Sequence, residues 1–87
     1  MYVIVTYDIE QERVGKILKV CRKYLNWVQN SVFEGEITQA KFEKLKLELQ
    51  ENIERSRDSV RFYIINDKTL VTLEVLGQEK GSTSFMY

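Results

Sequence analysis

The hydrophobic period of this chain changes several times within 87 residues, and those changes leave few folds open. Tyr2-Val3-Ile4-Val5-Thr6-Tyr7-Asp8-Ile9 is a β-branched and aromatic run, the composition of a largely buried strand. From Arg13 the apolar residues recur at helical spacing. Val14, Ile17, Leu18, Cys21, Tyr24 and Leu25 make one stripe, and Lys16, Lys19, Arg22 and Lys23 add positive charge to the same helix. Trp27 to Ile37 is extended again, and reads either as one continuous strand or as a tight hairpin turned at Asn30-Ser31. Thr38 is a good N-cap for a second helix, with Ile37 and Phe42 at hydrophobic-staple positions around it. Phe42, Leu45, Leu49 and Ile53 form the buried stripe of that helix, which is more acidic than the first. Arg55-Ser56-Arg57-Asp58 is a polar loop. Val60, Phe62 and Ile64 then alternate with Arg61, Tyr63 and Ile65 in a strand. Asn66-Asp67-Lys68 is a turn, and Leu70 to Leu76 reads as a last strand stopped by Gly77.

The order is strand, helix, extended segment, helix, strand, strand. The strands on either side of the first helix are expected to run parallel, joined by a right-handed crossover. With a turn at Asn30-Ser31 the first six elements become βαββαβ. This is the α+β ferredoxin-like arrangement, with both helices on one face of an antiparallel sheet. It is preferred because both apolar helix stripes then cover one sheet face. One strand, Thr69 to Leu76, is left over. Residues 1–77 are expected to form one domain. Residues 78–87 are expected to form a polar tail whose tip, Phe85-Met86-Tyr87, needs something to bury against.

Composition narrows the chemistry. Lys plus Arg and Asp plus Glu number 13 each, so a uniformly basic coat for nucleic acid is excluded while a local basic face is not. The absence of histidine removes a Ser-His-Asp triad, a Cys-His pair and a His-ligated zinc site. A single cysteine, Cys21, excludes an internal disulfide and fits a reducing compartment, so a cytoplasmic protein is expected. Its place on the apolar stripe reads as an inert core thiol. No apolar run approaches the roughly 18 residues of a membrane span, and the start lacks a basic leader.

Asp8 follows six residues that bury well in a central strand. An acid there either ends the strand and caps the next helix, or serves as a metal or catalytic carboxylate where strand meets loop. A lone carboxylate holds Mg²⁺ weakly, since such sites use one or two carboxylates with waters and phosphate oxygens. Only Glu10 and Glu12 lie near it in sequence. A twofold dimer duplicates Asp8, so two copies near the axis share one ion, and it also relieves the small core. Arg13, Lys16, Lys19, Arg22 and Lys23 read either as a solvated helix face or as phosphate contacts, and Arg55, Arg57 and Arg61 carry the same two readings. Tyr7, Trp27 and Phe33 either belong to the core or stack on bases. Gly35 and Gly77 form no phosphate-cradling pattern.

Two segments carry a family resemblance. The opening Tyr2 to Ile9 resembles the first strand of the CRISPR-associated protein two family. Val28-Gln29-Asn30-Ser31-Val32-Phe33-Glu34-Gly35 resembles that family's second signature, Gln-x-Ser-Val-Phe followed by a small residue. The basic helix between them and the late strand Val60 to Ile65 also fit. The resemblance implies a ferredoxin-like homodimer in which the strand after the core, Thr69 to Leu76, completes the partner's sheet. It implies a role in spacer acquisition beside the companion integrase, CRISPR-associated protein one, and metal-dependent cleavage of RNA or double-stranded DNA. Asp8 matches the family's metal-binding and catalytic acid. Arg13 matches a basic position, and Ser31 and Phe33 match positions near the active face. Two functions are therefore expected as alternatives. The first is an Mg²⁺-dependent phosphodiesterase centred on Asp8, with Arg13, Lys16, Lys19, Arg22, Ser31 and Phe33 contacting nucleic acid. The second is a non-catalytic dimeric adaptor bridging the integrase and spacer DNA; the balanced charge is less basic than that of a dedicated nucleic-acid binder.

Overall fold

The computed structural model describes residues 1–78, apart from the side chain of Lys68. The chain runs β1 (Tyr2–Asp8), α1 (Gln11–Tyr24), β2 (Asn26–Gln29), β3 (Val32–Glu36), α2 (Gln39–Gln50) and β4 (Ser59–Ile65), followed by a 3-10 turn at Lys68–Leu70. The sheet order is β2-β3-β1-β4, and all three pairings are antiparallel. β1 and β2 point the same way, as the crossover through α1 requires, with β3 inserted between them. This is the ferredoxin-like α+β fold.

Of the two readings of residues 27–37, the hairpin is the one that forms. Asn30 takes the left-handed conformation, with φ of 42°, which asparagine tolerates better than most residues. The indole Nε1 of Trp27 donates to the Asn30 carbonyl at 3.1 Å, bracing the turn from its own strand. α2 starts as its sequence dictates: the Thr38 hydroxyl accepts from the Lys41 amide at 3.2 Å, and Ile37 and Phe42 are both buried around that cap.

Alternation along β1 assigns its two faces. Val3 and Val5 are wholly enclosed beneath the helices, with Phe33 from β3, Ile17 and Cys21 from α1, and Leu45 from α2. Phe42 meets Phe62 of β4 edge-on, with centroids 5.4 Å apart. At the outer surface Glu48 of α2 accepts from the Tyr24 hydroxyl at 2.5 Å and pairs with Lys23, tying the helices together. Tyr2, Ile4, Thr6 and Asp8 share the opposite sheet face. Their cross-strand neighbours there are Glu36, Glu34 and Val32 on β3 and Ile65, Tyr63, Arg61 and Ser59 on β4. None of the described helices covers that face.

The strand expected at Thr69 to Leu76 does not form within the chain. Asp67 captures the start of that segment: its carboxylate accepts from the Thr69 amide at 3.0 Å and from the Thr69 hydroxyl at 2.7 Å, while its carbonyl accepts from the Leu70 amide at 3.0 Å. These bonds wind residues 68–70 into the turn, and residues 71–76 join no ladder. Gly77 does break the direction of the chain, with φ of 85°. The expected tail falls, from residue 79 on, outside the described residues.

Candidate active site

Asp8 closes β1 on the uncovered sheet face. It is exposed, and among the described residues its side chain makes no hydrogen bond or ion pair. Its register partner on β4 is Ser59. On its other side the β1–β3 ladder is extended by the Tyr7 amide, which donates to the Ser31 carbonyl at 3.2 Å, so Ser31 stands next to the end of the strand. Thr6 and Arg61 form the preceding rung of the same face. Arg61 also donates to the Tyr63 hydroxyl at 3.3 Å.

One residue before Ser59 stands a second aspartate with the opposite environment. The Asp58 side chain is 0% exposed, and it accepts four hydrogen bonds. Arg13 donates from Nε to Oδ2 at 2.5 Å and from Nη2 to Oδ1 at 2.9 Å. The Glu10 amide reaches Oδ1 at 2.9 Å and the Glu54 amide reaches Oδ2 at 2.8 Å. The guanidinium holds the Asp58 carboxyl well below the usual carboxylate range against the opposing effect of burial, and the two amides add to the shift. The same pairing raises the Arg13 pKa above its ordinary value. Sequence reading passed over Asp58 as part of a polar loop, because its ion-pair partner is 45 residues away and no local spacing announces it.

Arg13 was expected to contact nucleic acid, and its surroundings give it another task. Nε and Nη2 are held by Asp58, Nη1 lies 3.3 Å from Glu12, and the side chain is 23% exposed. Its fork is occupied inside the protein. Phe33, also expected at the active face, is fully enclosed on the helix side, with its ring centroid 6.3 Å from that of Tyr7. Its ring cannot reach a base without unfolding the core. Ser31 stands opposite Tyr7, one residue before Asp8. Lys16, Lys19 and Arg22 are exposed on α1, in the layer on the far side of the sheet from the face that Asp8 shares. Glu10 pairs with Arg57 at 3.3 Å and Glu12 with Arg13, so neither carboxylate joins Asp8. Among the described residues no three acids or thiols gather into a metal site. Cys21 is buried, and burial pushes its thiol up to about 12, as an inert core thiol requires.

A four-stranded antiparallel sheet under two helices, with an exposed acid that has no partner among the described residues at the end of a central strand, defines a ferredoxin-like domain. The family model for CRISPR associated protein Cas2 matches residues 1–72. The CRISPR-associated endoribonuclease Cas2 of Thermotoga maritima is 54% identical over 87 residues, covering all of both chains. That of Dictyoglomus turgidum is 52% identical over 81 residues, 93% of each chain. A crystal structure of Cas2 superposes with a TM-score of 0.83 at 42% identity, covering 100% of this chain and 97% of the other. Streptococcus pyogenes Cas2 does so at 0.72 and 40% identity, covering 88% and 100%. The chain belongs to the Cas2 family. No helix among the described residues is long and apolar enough to cross a membrane.

Proposed function

We propose that this chain is a metal-dependent endonuclease of a CRISPR system. It hydrolyses phosphodiester bonds of RNA, and it works as a twofold dimer in which the two Asp8 carboxylates face one Mg²⁺. The observation that carries this reading is the contrast at one end of the sheet. Asp58 is enclosed and fully bonded, while Asp8, at the end of the adjoining strand, is exposed and has no partner among the described residues. The names of the relatives, CRISPR-associated endoribonucleases, support it.

The donor set fits a hard divalent cation. Carboxylate oxygens suit Mg²⁺, and one or two of them suffice when waters and phosphate oxygens complete the coordination. A cation held there supplies Lewis-acid polarisation of the phosphoryl oxygen and acidifies a bound water, chemistry a chain without histidine otherwise lacks. Asp8 holds and orients. Ser59 and Arg61 flank it on the same sheet face with a hydroxyl and a positive charge, and Ser31, Lys16, Lys19 and Arg22 bind the nucleic-acid backbone. The apolar side chains left exposed after β4 support the dimer: Leu70 is 75% and Leu76 100% exposed. Within the cell the protein acts in the cytoplasm, in spacer acquisition beside the integrase CRISPR-associated protein one, with double-stranded DNA as a further substrate.

Cleavage of end-labelled single-stranded RNA by wild type and Asp8→Asn, with Mg²⁺ and with a chelator, tests the reading. Asp8→Asn and chelation should each abolish cleavage while the dimer persists. Wild-type cleavage by purified Asp8→Asn would remove Asp8 from the chemistry. The second reading is a dimeric adaptor between integrase and spacer DNA. A wild type that never cleaves yet supports integration would establish it.

A further inference from the structure

We propose that Arg13 and Asp58 form a positioning clamp for Asp8, rather than a phosphate contact and an incidental surface ion pair. The clamp presupposes the active-site reading of Asp8 above. Asp8 is fixed from two directions, and both lead to Asp58. Along the chain, Glu10 follows Asp8 by two residues and donates its amide to Asp58 Oδ1 at 2.9 Å. Across the ladder, Asp8 pairs with Ser59, the residue next to Asp58. The third attachment, from the Glu54 amide at 2.8 Å, anchors Asp58 itself to the segment after α2.

The turn out of β1 needs this support. Glu10 is the N-cap residue of α1, and its side chain makes no capping hydrogen bond. The helix therefore begins without the local device that usually fixes such a turn. Asp58 takes that part from another loop, placing a negative charge at the α1 N-terminus and gripping its first turn through Arg13. The Arg13–Asp58 pair is bidentate, the geometry that fixes direction as well as distance. Stability alone does not call for such a pair, since an apolar replacement of similar volume often serves as well. A metal-binding carboxylate does call for it, because its tolerance is about 0.5 Å and its orientation is set by the groups behind it.

The full-length protein is assayed as wild type, Asp8→Asn, Asp58→Asn and Arg13→Lys, at a temperature where circular dichroism shows every variant folded. Mn²⁺ affinity is read by electron paramagnetic resonance, and kcat and KM on single-stranded RNA by initial rates. Asp58→Asn and Arg13→Lys should weaken Mn²⁺ binding and lower kcat by about 10–100-fold with KM for RNA unchanged. A purely structural ion pair would lower the melting temperature and leave both quantities alone. Wild-type kcat and Mn²⁺ affinity in both clamp variants, beside a dead Asp8→Asn, overturn the clamp and leave the active-site reading standing. A raised KM at unchanged kcat in Arg13→Lys also overturns it, by making Arg13 an RNA contact. Wild-type activity in Asp8→Asn overturns the active-site reading and the clamp with it. If Asp58→Asn does not fold, Arg13→Lys carries the test, since it keeps the charge and loses only the fork.

Discussion

Replacing Phe33 by leucine should cost stability and leave nucleic-acid affinity untouched. The ring is 0% exposed, stands opposite Val5 and Trp27 in the sheet and leans on Tyr7. Truncation to alanine empties the space of a whole ring, a loss of about 3–5 kcal/mol. A domain of 87 residues commonly has only about 4–13 kcal/mol in total, so Phe33→Ala removes much of the margin and is a poor probe. Leucine keeps most of the volume and costs about 1–1.5 kcal/mol. With an unfolding entropy of about 2.1 cal/mol/K per residue, that lowers the melting temperature by about 5–8 °C.

Thermal unfolding by circular dichroism, paired with fluorescence anisotropy of a labelled single-stranded RNA, separates packing from stacking. A lost base stack is worth about 1–3 kcal/mol, which would appear as a roughly 5- to 150-fold weaker complex. The core assignment expects the fall in melting temperature and an unchanged dissociation constant at a temperature where both proteins are folded. An unchanged melting temperature together with a weakening of that size would refute it, and would mean that the sheet opens to present the ring.

Gly15 sits in the middle of α1, exposed, with open space where a Cβ would stand, so Gly15→Ala should stabilise the protein by about 0.5–1 kcal/mol in denaturant titration. Cys21 should resist alkylation by iodoacetamide in the native state and react only on unfolding, because burial lifts its pKa to about 12; rapid native labelling would refute that burial. Since the folded-state pKa of Asp58 is depressed from 3.8, its stabilisation is fully present above that value and is lost as pH falls through the folded-state value. Acid titration should therefore show wild type and Asp58→Asn converging below about pH 4, and a stability gap that widens in acid would reverse the sign. Replacing Lys16, Lys19 and Arg22 together should weaken RNA binding and make its salt dependence shallower by about 2 in log–log slope, at about 0.7 per phosphate. Unchanged affinity would leave that face merely solvated.

The parts of the fold legible in the sequence are those set by short-range geometry. The Thr38 cap and its Ile37–Phe42 staple lie within one helical turn, and the hairpin at Asn30 needs only a residue that tolerates positive φ. The helix stripes are equally local. Period-two alternation also marked Phe33: along β3 it shares a side with Gly35 while Val32, Glu34 and Glu36 take the other, which argues for the enclosed face. Its place in a signature segment had drawn attention to function instead. What the sequence could not announce was pairing at long range. Arg13 looks the same whether its fork meets a phosphate or Asp58, 45 residues on. Residues 69–76 have strand composition, yet a strand exists only where a neighbour offers an edge, and within one chain residues 71–76 meet none.

Asp8 and Asp58 carry the same functional group on one strand and at the foot of the next, so composition cannot distinguish their roles. Solvent access and partners do. Four donors converge on Asp58, leaving no lone pair for an ion, while no donor among the described residues occupies Asp8. A single chain nevertheless separates this acid from its basic helix face, because Lys16, Lys19 and Arg22 lie across the sheet from it. One carboxylate and a remote cationic face make a weak metal site and a poor grip on a backbone. The proposed twofold dimer supplies one of the missing parts by repetition, a second Asp8 for the ion. If the chain cleaves RNA as proposed, its activity should therefore depend on protein concentration wherever the dimer dissociates, and a monomeric variant that binds RNA normally should still fail to cut it.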